Sequence, residues 1–164
     1  MTGVISCGDI NGIGPEIALK SIEKLSLVKD INYKLVIPGN VLRLLSTTTK
    51  ISLDTFSNVE IVDIGEYDID PGIPTATSGK AAFHALKTAH EIVYKDERAF
   101  LVTAPISKYA FSLAGVDFPG HTELLAEWEN SSDFVMSFLS NQLKCALATI
   151  HIPLSKVSNS ISRE

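Results

Sequence analysis

The sequence predicts an α/β fold with a mixed, largely parallel β-sheet flanked by helices. Short β-branched runs alternate with segments whose apolar residues recur at helical spacing, and repeated βα units favour parallel strands. Near residue 140, two strand patterns at 133–139 and 143–150 are separated only by the polar Ser140-Asn141-Gln142. That short connection indicates one antiparallel pairing within the sheet.

The first half of the chain contains two complete strand–helix units and a third strand. Pro15 marks the first helix, because proline is well placed at a first helical position, and Pro38-Gly39 ends the second strand. A polar loop is expected at 47–50, and a loop rich in proline, glycine and aspartate at 68–77. The predicted strands are 2–7, 33–37 and 59–64, and the predicted helices are 15–25 and 41–45.

The second half opens with the strongest helical pattern, at 78–94, where apolar residues recur at helical spacing. An apolar strand at 99–103 ends at Ala104-Pro105, and a helix at 106–114 is closed by Gly115. The turn Phe118-Pro119-Gly120 precedes a short helix at 121–129. A polar, helical segment begins at Ser155 after the strand at 143–150.

Composition restricts the class of protein. The chain has 164 residues, 45% hydrophobic and 20% charged, which suits one ordinary globular domain. A net charge of -5 argues against nucleic-acid and anionic-membrane partners. Cys7 and Cys145 lie in apolar stretches without metal-ligand spacing and are expected to be buried. With no signal peptide or membrane-length apolar run, the expected location is the cytoplasm.

A glycine-rich turn, Gly8-Asp9-Ile10-Asn11-Gly12-Ile13-Gly14-Pro15-Glu16, lies between the first strand and the first helix. Backbone N–H groups of Gly12 and Gly14 could contact an anion at the helix N-terminus. The motif is neither a Rossmann fingerprint nor a Walker A loop, because Ile17 stands where the third Rossmann glycine would be and no Gly-Lys-Ser/Thr follows. A purely structural turn that needs positive φ is the alternative.

A second motif, Thr103-Ala104-Pro105-Ile106-Ser107-Lys108, follows a buried strand. Open α/β sheets bind ligands at the carboxyl ends of their strands, where Lys108 could contact a phosphate. The alternative is that Ser107 caps the next helix and Lys108 is solvated.

Two histidines are the candidate active-site residues. His121 and Thr122 follow a glycine turn and open a helix, where they could bind an anion. His151 continues one face of the strand at 143–150 beyond its end, as metal ligands often do. An exposed loop histidine and a core histidine bonded to backbone are the respective structural alternatives. His84 and His90 lack the spacing of a helical metal pair.

The ordered set of motifs resembles the 4-hydroxythreonine-4-phosphate dehydrogenase family over nearly the whole chain. The set is Gly-Asp-x-x-Gly-Ile-Gly-Pro-Glu, Thr-Ala-Pro-x-x-Lys, Pro-Gly-His-Thr-Glu and Thr-x-His-x-Pro-Leu. The helix start Ser78-Gly79-Lys80-Ala81-Ala82 is also similar to the family. One departure is Ile10-Asn11, where the family commonly has Pro-Ala. The glycines are retained, so we expect the turn to survive.

The resemblance implies a fold similar to isocitrate and isopropylmalate dehydrogenases, with the active site between two subdomains of a homodimer. It implies oxidation and decarboxylation of 4-phosphooxy-L-threonine to 3-amino-2-oxopropyl phosphate in pyridoxal phosphate (vitamin B6) biosynthesis. NAD or NADP would be the oxidant, and a divalent metal (Zn, Mg or Co) held by three histidines would polarise the hydroxyl. By the same resemblance, His151 is a metal ligand, His121 and Thr122 bind substrate, and no catalytic residue is assigned.

The resemblance also implies that residues 1–164 are the N-terminal part of a two-subdomain enzyme whose C-terminal half, with the other ligands, is absent. One histidine does not hold a catalytic metal tightly, so we expect the isolated chain to be inactive. Alternatives are a dehydrogenase of threonate or erythronate 4-phosphate and a non-catalytic phosphate-binding module. A metal-dependent hydrolase using His121 and His151 is a weaker alternative, because no third ligand has suitable spacing.

Overall fold

The computed structural model describes residues 1–28, 30–52, 56–118, 120–131 and 134–162, in two compact units, Met1–Gly120 and His121–Glu164. Pro119, Asp133 and Glu164, which belong to the predicted turn, fifth strand and final segment, lie outside the described residues. The elements of the first unit are β1 (Thr2–Ser6), α1 (Gly14–Leu25), β2 (Asn32–Ile37), α2 (Gly39–Thr49), β3 (Val59–Asp63), α3 (Ala76–Tyr94), β4 (Ala99–Thr103) and α4 (Lys108–Leu113). Those of the second are α5 (His121–Trp128), β5 (Ser137–Leu139), β6 (Lys144–Ala146) and α6 (Leu154–Ser160).

The first unit contains a four-stranded, fully parallel sheet in the order β3-β2-β1-β4. The central strand β1 is buried on both faces over most of its length, as expected for a parallel strand covered by helices. α3 packs against β1, β2 and β4, and α1 packs against β2. The core residues of these elements include Val4, Leu19, Leu35 and Ala85, all fully buried.

The second unit contains the antiparallel pair. Ser137 pairs with Ala146, and Leu139 pairs with Lys144. The predicted antiparallel connection is therefore confirmed, but the pair forms a two-stranded sheet of its own instead of joining the parallel sheet. Every residue of both strands is exposed, so the expectation that Cys145 is buried was wrong, whereas Cys7 is buried as expected.

Helix α2 corrects the prediction of a short helix at 41–45 and a polar loop at 47–50. The helix runs on to Thr49, and three threonine hydroxyls in its last turns donate to carbonyl oxygens one turn earlier: Thr47 to Arg43 at 3.0 Å, Thr48 to Leu44 at 3.1 Å and Thr49 to Leu45 at 2.7 Å. Among the described helices, none is long and apolar enough to cross a membrane.

Candidate functional site

The first candidate site lies where the strand order of the parallel sheet reverses. Going along the chain, β2 and β3 are added on one side of β1, and β4 is added on the other. The loops that leave the carboxyl ends of β1 and β4 therefore meet at this point, which is where open α/β sheets bind ligands. These loops are the glycine-rich turn after Ser6 and the segment that begins at Ala104.

Two glycines let these loops approach closely. Gly8 has φ +73°, and a Cβ there would lie 2.2 Å from the Pro105 carbonyl oxygen. A Cβ on Gly14 would lie 2.5 Å from the Cys7 carbonyl oxygen and 2.9 Å from that of Pro105. The Asp9 N–H donates to the same Pro105 oxygen at 3.0 Å. The need for glycine at positions 8 and 14 is explained by backbone packing alone.

The N-terminus of α1 has features that weaken anion binding. Pro15 has no N–H to donate, and Glu16 places a carboxylate in the first turn, where it forms an ion pair with Lys20. The Gly12 N–H already donates to the Asp9 carbonyl at 3.0 Å. The geometry therefore favours a structural role for the turn, and anion contacts by Gly12 and Gly14 stay a prediction.

Asn11 is the residue of this site that sequence reasoning missed. Its buried side-chain amide donates to the Ile73 carbonyl at 2.8 Å and accepts from the Asp70 N–H at 2.9 Å. Its backbone carbonyl accepts from the Gly72 N–H at 2.7 Å, and its own N–H donates to Asp9 Oδ1 at 3.1 Å. Asn11 thus ties the loop before α3 to the glycine-rich turn. The unusual Ile10-Asn11 pair was the signal in the sequence, but its partners lie about 60 residues away.

Helix α3 is held at the same end of the sheet. The Thr75 hydroxyl accepts from the Ser78 N–H at 3.0 Å, and the Ser78 hydroxyl accepts in return from the Thr75 N–H at 3.2 Å, which completes a capping box. A Cβ on Gly79 would lie 2.0 Å from the Ala110 carbonyl oxygen, so α3 and α4 pack backbone to backbone there. The similarity noted at 78–82 therefore marks a helix start and a helix contact.

The segment after β4 shows the predicted cap. The Ser107 hydroxyl accepts from the Ala110 N–H at 3.1 Å and begins α4, later than the predicted start at 106. Lys108 is exposed at the first position of this helix, and within the described ranges its side chain forms no hydrogen bond or ion pair. Thr103 is half-buried at the end of β4. Ser107 therefore acts as a cap, and Lys108 remains available to an anion.

The second candidate site is in the other unit, where His121 opens α5 as predicted. Burial lowers the pKa of the His121 imidazole below its ordinary value of 6.5. The His121 Nε2 atom is buried and has no hydrogen-bond partner among the described atoms. Thr122 is half-buried beside it in sequence. A neutral imidazole with an unpaired nitrogen can accept or donate one hydrogen bond to a ligand.

His151 lies in a different setting from the one predicted. β6 ends at Ala146, so His151 does not extend a strand face but occupies an exposed bend with φ +55°. The strand is shorter than predicted, because in the described part of the chain it pairs with β5 over three residues only, Lys144–Ala146. Within that part, no three His, Cys, Asp or Glu side chains form a group that could hold a metal. Among the described residues, His151 therefore belongs to no group of three potential metal ligands.

Comparison with known proteins identifies the family. The family described as pyridoxal phosphate biosynthetic protein PdxA matches residues 16–164, which include His121, His151 and the loop after β4.

The chain belongs to the PdxA family.

Relatives and a solved structure support this membership. The 4-hydroxythreonine-4-phosphate dehydrogenase of Trichlorobacter lovleyi is 34% identical over 98% of this chain and 52% of its own length. The D-threonate 4-phosphate dehydrogenase of Salmonella typhimurium is 29% identical over 98% of this chain and 54% of its own length. The 4-hydroxythreonine-4-phosphate dehydrogenase from Klebsiella pneumoniae, whose crystal structure is known, is 28% identical to this chain in sequence. The two structures match with a TM-score of 0.79 over 97% of this chain and 52% of that chain.

Membership of the PdxA family confirms the resemblance drawn from the four motifs and the predicted fold class. The chain spans about half the length of the curated relatives it matches. The motifs therefore indicated the family correctly, although Gly8, Gly14 and Ser107 have packing or capping roles that account for their presence in those motifs.

Proposed function

We propose that this chain is the N-terminal part, residues 1–164, of a two-subdomain dehydrogenase that oxidises and decarboxylates 4-phosphooxy-L-threonine to 3-amino-2-oxopropyl phosphate in vitamin B6 biosynthesis. The observation that carries the proposal is the continuous PdxA match over residues 16–164. The 34% identity to a 4-hydroxythreonine-4-phosphate dehydrogenase over almost the whole chain supports the same substrate. The proposed enzyme acts in the cytoplasm as a homodimer.

In this proposal, His121 and Thr122 bind the phosphorylated substrate. The lowered pKa of His121 keeps the imidazole neutral near pH 7, so it contributes a hydrogen bond but no charge. Lys108 is exposed at the carboxyl end of the sheet, where its positive charge suits a phosphate ester, and Gly12 and Gly14 are proposed as backbone contacts. The positive charge of Lys108 would make this position locally attractive to a phosphate, although the whole chain has a net charge of -5.

The oxidation of a secondary hydroxyl needs a hydride acceptor, the role of NAD or NADP, and a divalent cation (Zn, Mg or Co) would polarise that hydroxyl. His151 is proposed as one ligand of this cation. A tight site needs about three protein ligands, and the described residues supply no such group. We propose that the remaining ligands come from polypeptide that corresponds to the other half of the relatives.

The test is an assay of the full gene product with 4-phosphooxy-L-threonine, NAD or NADP and each divalent metal. His121→Asn and His151→Asn are each expected to lower kcat/KM by at least about 100-fold, because one removes a substrate contact and the other a metal ligand. The matched control is His84→Asn, since His84 is an exposed histidine that bonds Tyr67. Equal activity in all three variants would contradict the assigned roles.

A second candidate substrate for this enzyme is D-threonate 4-phosphate, which the name of the Salmonella typhimurium relative supports. This compound has a hydroxyl in place of the amino group, so the same phosphate and metal contacts would serve both substrates. The ratio of kcat/KM for the two compounds decides between them. Binding of either ester without dependence on metal or NAD(P), and without turnover, would instead support a phosphate-binding module.

A further inference from the structure

The N-terminus of α3 differs from that of α1 in ways that favour an anion. The cap of α3 satisfies the Ser78 N–H, but the N–H groups of Ala76 and Thr77 donate to no described atom. The first turn of α3 contains no acidic residue, whereas that of α1 contains Glu16. Free N–H groups and the peptide dipoles of a helix both favour negative charge at such an end.

A buried hydroxyl without a partner lies at the same end of the sheet. Ser6, the last residue of β1, is 1% exposed, and its Oγ atom has no hydrogen-bond partner among the described atoms. Buried side-chain oxygens are normally paired. The Ser6 hydroxyl is therefore a donor or acceptor that the described chain leaves for a ligand.

The geometry of the sheet directs Ser6 towards α3. Side chains alternate along a strand, and Ile5, the preceding residue, lines a cavity with residues of α1, so Ser6 lies on the opposite face. α1 connects β1 to β2, whereas α3 connects β3 to β4 in the opposite direction across the sheet, and right-handed connections therefore place α3 on the face of Ser6. α3 follows the carboxyl end of β3, so its N-terminus lies at the end where Ser6 lies.

Two lysines flank this end of α3. Lys80 is exposed, and within the described ranges its side chain forms no hydrogen bond or ion pair. Helical side chains lean towards the N-terminus, so Lys80 lies over the turn that holds the two free N–H groups. α4 contributes Lys108, two residues before Ala110, whose carbonyl oxygen packs against Gly79.

We propose that the N-terminus of α3 binds a phosphate group, either the ester of the substrate or the pyrophosphate of NAD or NADP. Two cations and several hydrogen-bond donors at one end of a helix suit this group, because bonds from charged donors to phosphate oxygens are strong. The inference rests on the proposed function and adds α3 to the phosphate contacts proposed there. The proposed contacts are Lys80, Lys108, the N–H groups of Ala76 and Thr77, and Ser6 Oγ as the buried donor beneath them.

Hydrogen exchange of the full gene product, measured by mass spectrometry during a titration with inorganic phosphate, tests the site without turnover. Exchange in a peptide that covers residues 75–80 is expected to slow, because phosphate accepts hydrogen bonds from the free N–H groups. We expect Lys80→Gln to raise the midpoint of the titration at least about fivefold. The matched control, Lys87→Gln, changes an exposed lysine on the same face of α3 two turns later and leaves the midpoint unchanged.

No slowing of exchange, or equal midpoints for Lys80→Gln and Lys87→Gln, would overturn the proposal. These results do not depend on the reaction that the enzyme catalyses. A full product that binds phosphate at α3 but has no turnover would refute the proposed function and leave this site standing.

A second variant, Ala76→Pro, removes one N–H donor without a change of charge. Proline is tolerated at the first position of a helix, and Thr75 before it is already extended, with φ -128° and ψ 162°, so α3 keeps its start. In the turnover assay, a higher KM for 4-phosphooxy-L-threonine identifies the substrate ester as the ligand, and a higher KM for NAD(P) identifies the pyrophosphate. Unchanged KM values for both compounds would contradict the proposal.

Discussion

The imidazole of His121 is held neutral by burial at the start of α5, with Nε2 unpaired among the described atoms. Its pKa in the folded chain is below 6.5, whereas in the unfolded chain it returns to about 6.5. The unfolded chain therefore binds more protons between these two values. The stability contributed by the neutral imidazole is complete above pH 6.5 and is lost as the pH falls from 6.5 toward the folded pKa.

We expect an NMR titration of the His121 ring protons to give a midpoint below 6.5. We expect the free energy of unfolding to fall between pH 7.5 and pH 5.5. This fall should be smaller in His121→Asn, because asparagine does not titrate. Urea unfolding at the two pH values measures this loss, with His84→Asn as the control. A midpoint at or above 6.5 would show that the imidazole is not desolvated.

Asn11 connects two loops through partners distant in sequence. We expect Asn11→Ala to lower the free energy of unfolding by about 2 kcal/mol or more, because the Asp70 N–H and the Ile73 carbonyl lose their side-chain partner. Hydrogen exchange at Asp70 is expected to accelerate. The control is Asn58→Ala, since the Asn58 amide bonds backbone elsewhere, at Val28 and Ile31. Unchanged exchange at Asp70 in Asn11→Ala would refute the link.

At the scale of elements, the contact between the loops after β1 and β4 depends on a glycine. Gly8 and Gly72 both have positive φ, +73° and +83°, but only at Gly8 would an added Cβ meet other atoms. Alanine at a left-handed position costs roughly 1–2 kcal/mol, and overpacking roughly 1–3 kcal/mol more. We therefore expect Gly8→Ala to be about 2 kcal/mol more destabilising than Gly72→Ala in urea unfolding. Equal losses would mean that the loops do not pack as described.

The elements that sequence predicted well are those fixed by local pattern. β4 has the predicted bounds, and α3 begins two residues before its predicted start, because an apolar parallel strand and a long amphipathic helix leave a clear periodic signal. α2 was predicted too short, because threonine hydroxyls that bond back to the helix make polar residues compatible with it. β6 was predicted too long, because apolar content alone does not show whether a second neighbouring strand exists.

The site was predicted in part. The position of His121 at a helix start follows from the glycine turn before it, and the cap formed by Ser107 was one of two alternatives left open. The role of Asn11 depends on partners about 60 residues away, and the bend at His151 depends on where a hairpin ends. The bend has no local signature in the sequence, and the Ile10-Asn11 pair points to Asn11 without showing its partners.

At the scale of the whole molecule, the two units each carry a piece of the proposed chemistry. The first unit holds Lys108 at the carboxyl end of a parallel sheet, and the second holds His121, Thr122 and His151. Neither unit contains a group of metal ligands within the described ranges. Because the chain matches about half of each curated relative, its residues are proposed to form part of an active site.

The most direct test compares NAD(P)-dependent turnover of 4-phosphooxy-L-threonine by the full gene product and by the purified 164-residue chain, under the same metal and pH conditions. We predict turnover by the full product and none by the 164-residue chain, because one histidine does not hold a catalytic metal. Turnover by the 164-residue chain would contradict the claim that it carries only part of the site. Absence of turnover from the full product would contradict the proposed reaction itself.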